Sequence, residues 1–154
     1  MIKICFVCLG NICRSPMAEF IMKDLVQKHN LDKKIFITSC ATSYEEIGNG
    51  IYPPAKEKLK EKNIIFDNSK TSIRLKKEDF DKYDYIIGME EKNIINIEKI
   101  LEKKDSKIKR LLDYSNNPRD IADPWYTGNF DKTYEDILEG CNFFLDFLIK
   151  NNIV

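Results

Sequence analysis

Histidine is almost missing from this sequence: of its 154 residues only His29 carries an imidazole. That excludes a zinc site built on clustered histidines and any nucleophile that depends on a distant histidine base. Long hydrophobic runs are missing too. The longest, IKICFV and FFLDFLI, fall well short of the ~20 residues that cross a bilayer. Neither sign of charge is in excess, since 25 Lys and Arg balance 25 Asp and Glu. No global field therefore draws the chain to nucleic acid or to an anionic membrane. A secretory leader, with its long apolar stretch and small-residue cleavage site, is not seen, and the expected location is the cytoplasm. There is no internal repeat and no linker, and the length suits one unit over residues 1–154.

What the chain does have is five cysteines: Cys5, Cys8, Cys13, Cys40 and Cys141. An odd count, in a chain long enough to fold without staples, reads as thiols rather than a disulfide framework. Cys5 within the first apolar run, Cys40 just after the second and Cys141 among the apolar positions of the last helix are expected to pack as small hydrophobes. His29 closes a helical stretch, where it is a favourable partner for the helix dipole.

Hydrophobic spacing predicts alternating strands and helices. Ile2 to Val7 reads as a buried strand that stops at CLGN. Ser15 and Pro16 suit the cap and first position of a helix that Met17, Phe20, Ile21 and Leu25 carry on to Asn30. A second strand is expected over Ile35 to Ser39, a charged helix around Ala55 to Lys62, and a third strand over Tyr85 to Met89. A helix over 91–103, a fourth strand over Ile108 to Leu112 and a last helix from Tyr134 to Lys150 complete the pattern. Alternation of this kind implies a three-layer α/β fold: a four-stranded parallel sheet flanked by helices on both faces, with reactive loops at the carboxyl ends of the strands. The stretch 113–130, DYSNNPRDIADPWYTGNF, has no periodicity, and a loop of that length is usually functional or disordered. Its aromatics favour function.

The chemistry concentrates in CLGNICRSP. Cys8 closes the first strand, Arg14 follows within the loop, and a helix begins there. A loop feeding a helix N-terminus aims several backbone N–H groups inward and adds the positive end of the helix dipole, so it is an anion cradle before any side chain is counted. Arg14 adds a planar fork able to hold two phosphate oxygens at once. The same field favours ionisation of a thiol beside it. A nucleophile would thus face an oxyanion cradle, although the bare spacing of Cys and Arg is a weak motif without that context.

CLGNICRSP followed by MAE resembles the phosphate-binding loop of the low-molecular-weight protein tyrosine phosphatases almost letter for letter. A second match lies far along the chain: Asp123, Pro124, Trp125 and Tyr126, with Gly128 behind them, resemble that family's general-acid loop. Between them, SCATSYEEIG is similar to the loop after the family's second strand, and KKEDFDKYDYIIGMEEKN to the run into its third strand and following helix. The resemblance covers nearly the whole chain. It implies a four-stranded parallel sheet flanked by helices and metal-free hydrolysis of phosphomonoesters, phosphotyrosine above all, with no cofactor.

Carried over residue by residue, the resemblance makes Cys8 the nucleophile that forms a phosphocysteine. It makes Arg14, with the loop Leu9, Gly10, Asn11, Ile12, Cys13 and Ser15, the phosphate cradle. Asp123 becomes the general acid and then the base toward water; by itself it would read as an ordinary cap or turn residue before proline. Asn11, Ser15 and Ser39 would support the loop, with Ser15 donating to the sulfur. Ile12, Trp125 and Tyr126, together with Tyr44, would wall a cleft deep enough for an aryl phosphate and too deep for a phosphoserine. Cys13 would capture oxidised Cys8 as a reversible disulfide. The implied partners are a phosphotyrosine protein or small aryl phosphate, with inorganic phosphate as product, and the chain would act as a monomer.

Two departures stand out. Many members carry Trp beside the Tyr44 position and Asp-Pro-Arg further on, whereas here Glu45 follows Tyr44 and Tyr52, Pro53 and Pro54 replace the later triplet. KTSIRLKKEDF also lacks the histidine that supports the loop in one member of the family. Among rival functions, arsenate reduction needs two further cysteines near the third strand, and Gly88 and its neighbours supply none. Arginine phosphatases generally carry Thr where this chain has Ile12, whose apolar branch suits an aromatic ring. A phosphoprotein-binding module would have no use for Asp123.

Overall fold

The computed structural model describes every residue from Met1 to Val154. Strand β1 (Ile2–Cys8) is buried along its last five residues, as a central parallel strand covered on both faces must be. It leads through the loop into α1 (Arg14–Lys28). Then follow β2 (Ile35–Ala41), α2 (Pro53–Glu61), the short α3 (Asp79–Lys82), β3 (Tyr85–Gly88) and α4 (Glu91–Leu101). β4 (Ile108–Arg110), a 3₁₀ turn (Leu111–Tyr114), α5 (Pro124–Thr127) and α6 (Phe130–Lys150) complete the chain. The four strands are all parallel, in the order β2-β1-β3-β4.

That order fixes where chemistry can happen. From β1 the chain crosses one way to β2 and then back past β1 to β3, so the connections part at the carboxyl end of β1. A crevice opens at such a switch point. Cys8 ends β1, directly in that position.

The sheet carries a core on each face. Ile4, Phe6 and Cys8 point to one side, where Met17 and Ile21 of α1 and Phe144 and Leu148 of α6 cover them. Cys5 and Val7 point to the other, against Ile94, Ile97 and Leu101 of α4. Strand alternation therefore separates Cys5 from Cys8. Their CxxC spacing brings no dithiol together; instead Cys5 lies 2.8 Å, sulfur to sulfur, from Cys40 on β2. Cys141 is buried on α6, and burial pushes its thiol up. His29 caps α1 at its C-terminus, Nδ1 2.9 Å from the Leu25 carbonyl oxygen. No helix is long and apolar enough to cross a membrane.

Several element boundaries differ from the sequence expectations. α1 starts at Arg14 with Cys13 as its cap, so Ser15 and Pro16 lie inside the first turn. Proline is tolerated there because first-turn N–H groups have no intrahelical acceptor. β2 runs two residues further because Ala41 still pairs with Cys8. β4 stops at Arg110, and Leu111 rolls into the 3₁₀ turn to pack on Gly140; a Cβ at 140 would lie 2.5 Å from Leu111 Cγ. α6 begins at Phe130 rather than Tyr134 because the Asn129 side chain accepts from Lys132 N at 3.0 Å. Within the aperiodic stretch the structure adds α5, closed by Gly128 at φ +70, a conformation that glycine adopts without strain.

Candidate active site

The loop from Cys8 to Ser15 is held from beneath by a chain of hydrogen bonds. Asn11 takes the left-handed conformation, φ 57, which asparagine tolerates better than most residues. Its backbone N–H donates to Cys8 Sγ at 3.2 Å. Its side-chain Nδ2 donates to Ser15 Oγ at 2.7 Å and to Ser39 Oγ at 3.0 Å, while Oδ1 accepts from Ile73 N. Ser39 Oγ donates in turn to Glu19 Oε1 at 2.6 Å. This sequence of donors has a direction. Because Ser15 accepts from Asn11, its own hydroxyl proton is free to point at Cys8 Sγ, 3.0 Å away. The sulfur is met by two donors, an arrangement that suits a thiolate.

Glu19 anchors the far end of the chain. It is buried on α1, pairs with Lys23 at 2.7 Å and lies 3.8 Å from Lys70, whose ammonium also donates to the Ser39 carbonyl at 2.8 Å. Lys70 belongs to the segment where no histidine was found, and it braces the loop's support through the Ser39 carbonyl and Glu19. Ser72 adds a bond to the Gly10 carbonyl at 2.8 Å. Just past the end of β2, Thr42 N and Ser43 N donate to the carbonyls of Cys8 and Leu9.

Arg14 is 2% exposed and reaches under the crevice. Nη1 donates to Glu90 Oε2 at 3.1 Å and to the Ile121 carbonyl at 2.9 Å, and Nη2 donates to Asp123 Oδ2 at 3.3 Å. Glu90 is the cap residue of α4, and its backbone N–H donates to Asn93 Oδ1 at 3.0 Å, which fixes the chain where its carboxylate meets the arginine. Two acidic groups and a carbonyl thus hold the guanidinium fork in place while leaving it at the floor of the cleft.

Asp123 is the cap of α5, as the plain reading of an Asp-Pro pair requires, and more. Oδ1 accepts from Trp125 N at 3.0 Å, which locks the carboxylate; Oδ2 faces Arg14. Trp125 lies two residues on, and its ring packs on Tyr52 with centroids 4.7 Å apart. The resulting cleft is lined by Cys8, Leu9, Gly10, Ile12, Cys13 and Arg14 from the loop, by Ser43, Glu45 and Glu46 from the segment after β2, and by Asp123, Trp125 and Tyr126. Burial pushes the Cys13 thiol up, and the negative groups at Cys8 and Asp123 add to the effect.

Of the residues singled out in the sequence, the structure brings together Cys8, the loop through Ser15, Ser39, Asp123, Trp125 and Tyr126. Tyr44 is different: it is 71% exposed and stacks on Arg74 at 4.0 Å, outside the cleft wall. Arg74 also donates to the Thr42 carbonyl, so the ring is drawn away from the mouth. Sequence reasoning missed Glu19, Lys70, Ser72, Glu90 and Tyr52. Glu19 left a signal, a carboxylate on the buried side of α1 one turn after Ser15. Glu90 left another, an acidic residue three before Asn93 at a helix start. Lys70 and Ser72 lie in an irregular segment with no such pattern.

A buried Cys, a fixed Arg and a helix-capping Asp thus meet around one crevice at the end of β1 in a parallel α/β fold. The sequence profile of the low molecular weight phosphotyrosine protein phosphatase family matches residues 3–153. The chain belongs to that family of cysteine-dependent enzymes, as the two motifs indicated. It is 42% identical over 153 residues, 97% of each chain, to the low molecular weight protein-tyrosine-phosphatase YfkJ of Bacillus subtilis. The crystal structure of YfkJ superposes with a TM-score of 0.94 at 41% identity, covering 98% of this chain and 96% of that one. That of a low molecular weight protein tyrosine phosphatase from Streptococcus pyogenes gives 0.85 at 41%, covering 97% and 93%. A Drosophila arginine phosphatase gives 0.85 at 30%, covering 95% and 97%.

Proposed function

We propose that the protein hydrolyses phosphotyrosine and related aryl phosphate monoesters without a metal, through a phosphocysteine at Cys8. The observation that carries this reading is the meeting of Arg14 and Asp123, 109 positions apart in sequence, in the cleft whose floor holds Cys8. In the first step the Cys8 sulfur attacks phosphorus in line, and the bond to the phenolic oxygen breaks. Asp123 gives its proton to that oxygen as it leaves. In the second step water attacks the phosphocysteine and the Asp123 carboxylate takes the proton. Inorganic phosphate departs and the sulfur is released as thiolate. Arg14 and the loop N–H groups hold the equatorial oxygens through both steps, where donors already in position need not reorganise. Glu90 keeps the guanidinium oriented for that task.

The walls of the cleft support that substrate class. Ile12, Trp125 and Tyr126 offer apolar surface above a phosphate seated on the loop, which fits an aryl ring. Cys13, a buried neutral thiol in the same loop, would condense with Cys8 once a peroxide has oxidised it to a sulfenic acid, releasing water. The protein acts as a monomer, needs no cofactor and meets no nucleic acid or membrane. Free buried thiols suit the reducing cytoplasm.

Phosphate release from a phosphotyrosine peptide in EDTA tests the reading, with Cys8→Ser alongside and phosphoserine and phosphoarginine as comparison substrates. Turnover of phosphotyrosine that survives chelation and disappears in Cys8→Ser is expected. Faster release from phosphoarginine would move the substrate class to that of the Drosophila relative, and phosphate binding without any turnover would make the chain a phosphoprotein-binding module.

A further inference from the structure

The mouth of the cleft carries charge of the wrong sign for a site that receives a phosphate dianion. Glu45 and Glu46 line it, and Arg14 on the floor is the single cation among the lining residues. Glu45 is exposed; Glu46 is half-buried, with Oε2 accepting from Asn49 at 2.8 Å and Cγ close over Gly10. The Glu46 charge is felt inside the loop, where it helps to push the Cys13 thiol up. Arg74, the basic side chain of the adjoining segment, is occupied by the Tyr44 ring and the Thr42 carbonyl and leaves the rim carboxylates uncompensated. Beside them Ser43 lines the cleft with its hydroxyl oxygen buried and without a protein partner.

A phosphate on the floor places the main chain of its peptide at the mouth, so the residues next to the phosphotyrosine are those that meet Glu45 and Glu46. Acidic neighbours would be repelled there, and lysine or arginine would be drawn in. From this we infer that the rim is a specificity device: Glu45 and Glu46 select phosphotyrosine flanked by basic side chains. The inference rests on the cleft being a phosphotyrosine site. It adds which phosphotyrosine proteins are used.

The test compares three phosphotyrosine peptides of one length, with Lys, Ala or Glu on both sides of the phosphotyrosine. Wild type, Glu45→Gln/Glu46→Gln and Glu45→Lys/Glu46→Lys are assayed in EDTA at low and at high salt. Each readout is the ratio of kcat/KM for the Lys and Glu peptides within one enzyme, so a general loss of activity cancels. The wild type is expected to prefer the Lys peptide by about tenfold at low salt, from exposed charge pairs worth a few-fold each. The preference should shrink at high salt, approach one in the Gln variant and reverse in the Lys variant. A wild-type ratio near one, or a ratio that the Lys variant leaves unchanged, overturns the inference while the phosphatase reading stands. Failure of the wild type to turn over any of the three peptides defeats both.

Discussion

On the floor of the cleft each side-chain polar atom of Asn11, Ser15 and Ser39 is held by a neighbour, and all three residues are buried. A few residues away, Tyr44, Trp125 and Tyr126 stand half or more exposed, and the hydroxyl of Ser43 has no protein partner. The floor must meet the same phosphoryl group in every substrate, so fixed donors serve it best. The rim must meet whatever protein carries that phosphate, and exposed side chains can be replaced there at little cost in stability. Chemistry and selectivity are thereby separated in space.

The separation can be broken at several points, in order of expected effect. Arg14→Lys keeps the charge and loses the planar fork, and kcat/KM for an aryl phosphate should fall by about 10²–10³-fold. Loss below tenfold would mean that the fork is not used. Asp123→Ala should slow poor leaving groups by about 10²-fold and an activated aryl phosphate far less, read as a steeper dependence of kcat on leaving-group pKa. Equal losses would remove Asp123 from proton transfer.

Beneath the floor, Glu19→Ala leaves the Ser39 hydroxyl without its acceptor and Lys70 without its carboxylate neighbour, and should cost about 1–3 kcal/mol in urea unfolding. An unchanged midpoint would show that the loop does not depend on this anchor. The buried thiols give the fold a pH signature. Burial raises Cys5, Cys13 and Cys141 in the folded protein, while the unfolded chain ionises its thiols in the ordinary range. Stability is therefore complete below that range and is lost as pH climbs from about 9, by about 1.4 kcal/mol per unit for each thiol still protonated. Urea titrations at neutral and alkaline pH read the slope, and a flat line to pH 10.5 contradicts it. The smallest effect belongs to the rim: Trp125→Ala should raise KM for aryl phosphates by about threefold to tenfold and leave the melting temperature nearly unchanged.

Legibility in the sequence followed the same division by distance. The loop was readable because strand end, cradle and helix start are consecutive, and alternation of apolar runs gave the parallel sheet. Asp123 was recognisable as a capping residue from its proline, but its second oxygen faces Arg14 only after the chain has folded. Lys70 approaches Glu19 and Glu90 approaches Arg14 through tertiary contacts that no local spacing encodes. Tyr44 was expected in the wall because its loop resembles the family's, yet Arg74 offers a competing ring contact from another segment. Leu111 and Leu112 extended the apolar run of β4, and only the close approach of Gly140 explains why the chain turns there.

The central claim is that Cys8 carries the phosphoryl group between substrate and water. The direct measurement is rapid acid quench of Asp123→Ala turning over an activated aryl phosphate in EDTA, followed by mass analysis of the peptide that contains Cys8. Phosphate bound to Cys8, appearing with the aryl burst and decaying with phosphate release, is the predicted result. A burst without protein-bound phosphate, or phosphate on any other residue, would contradict it.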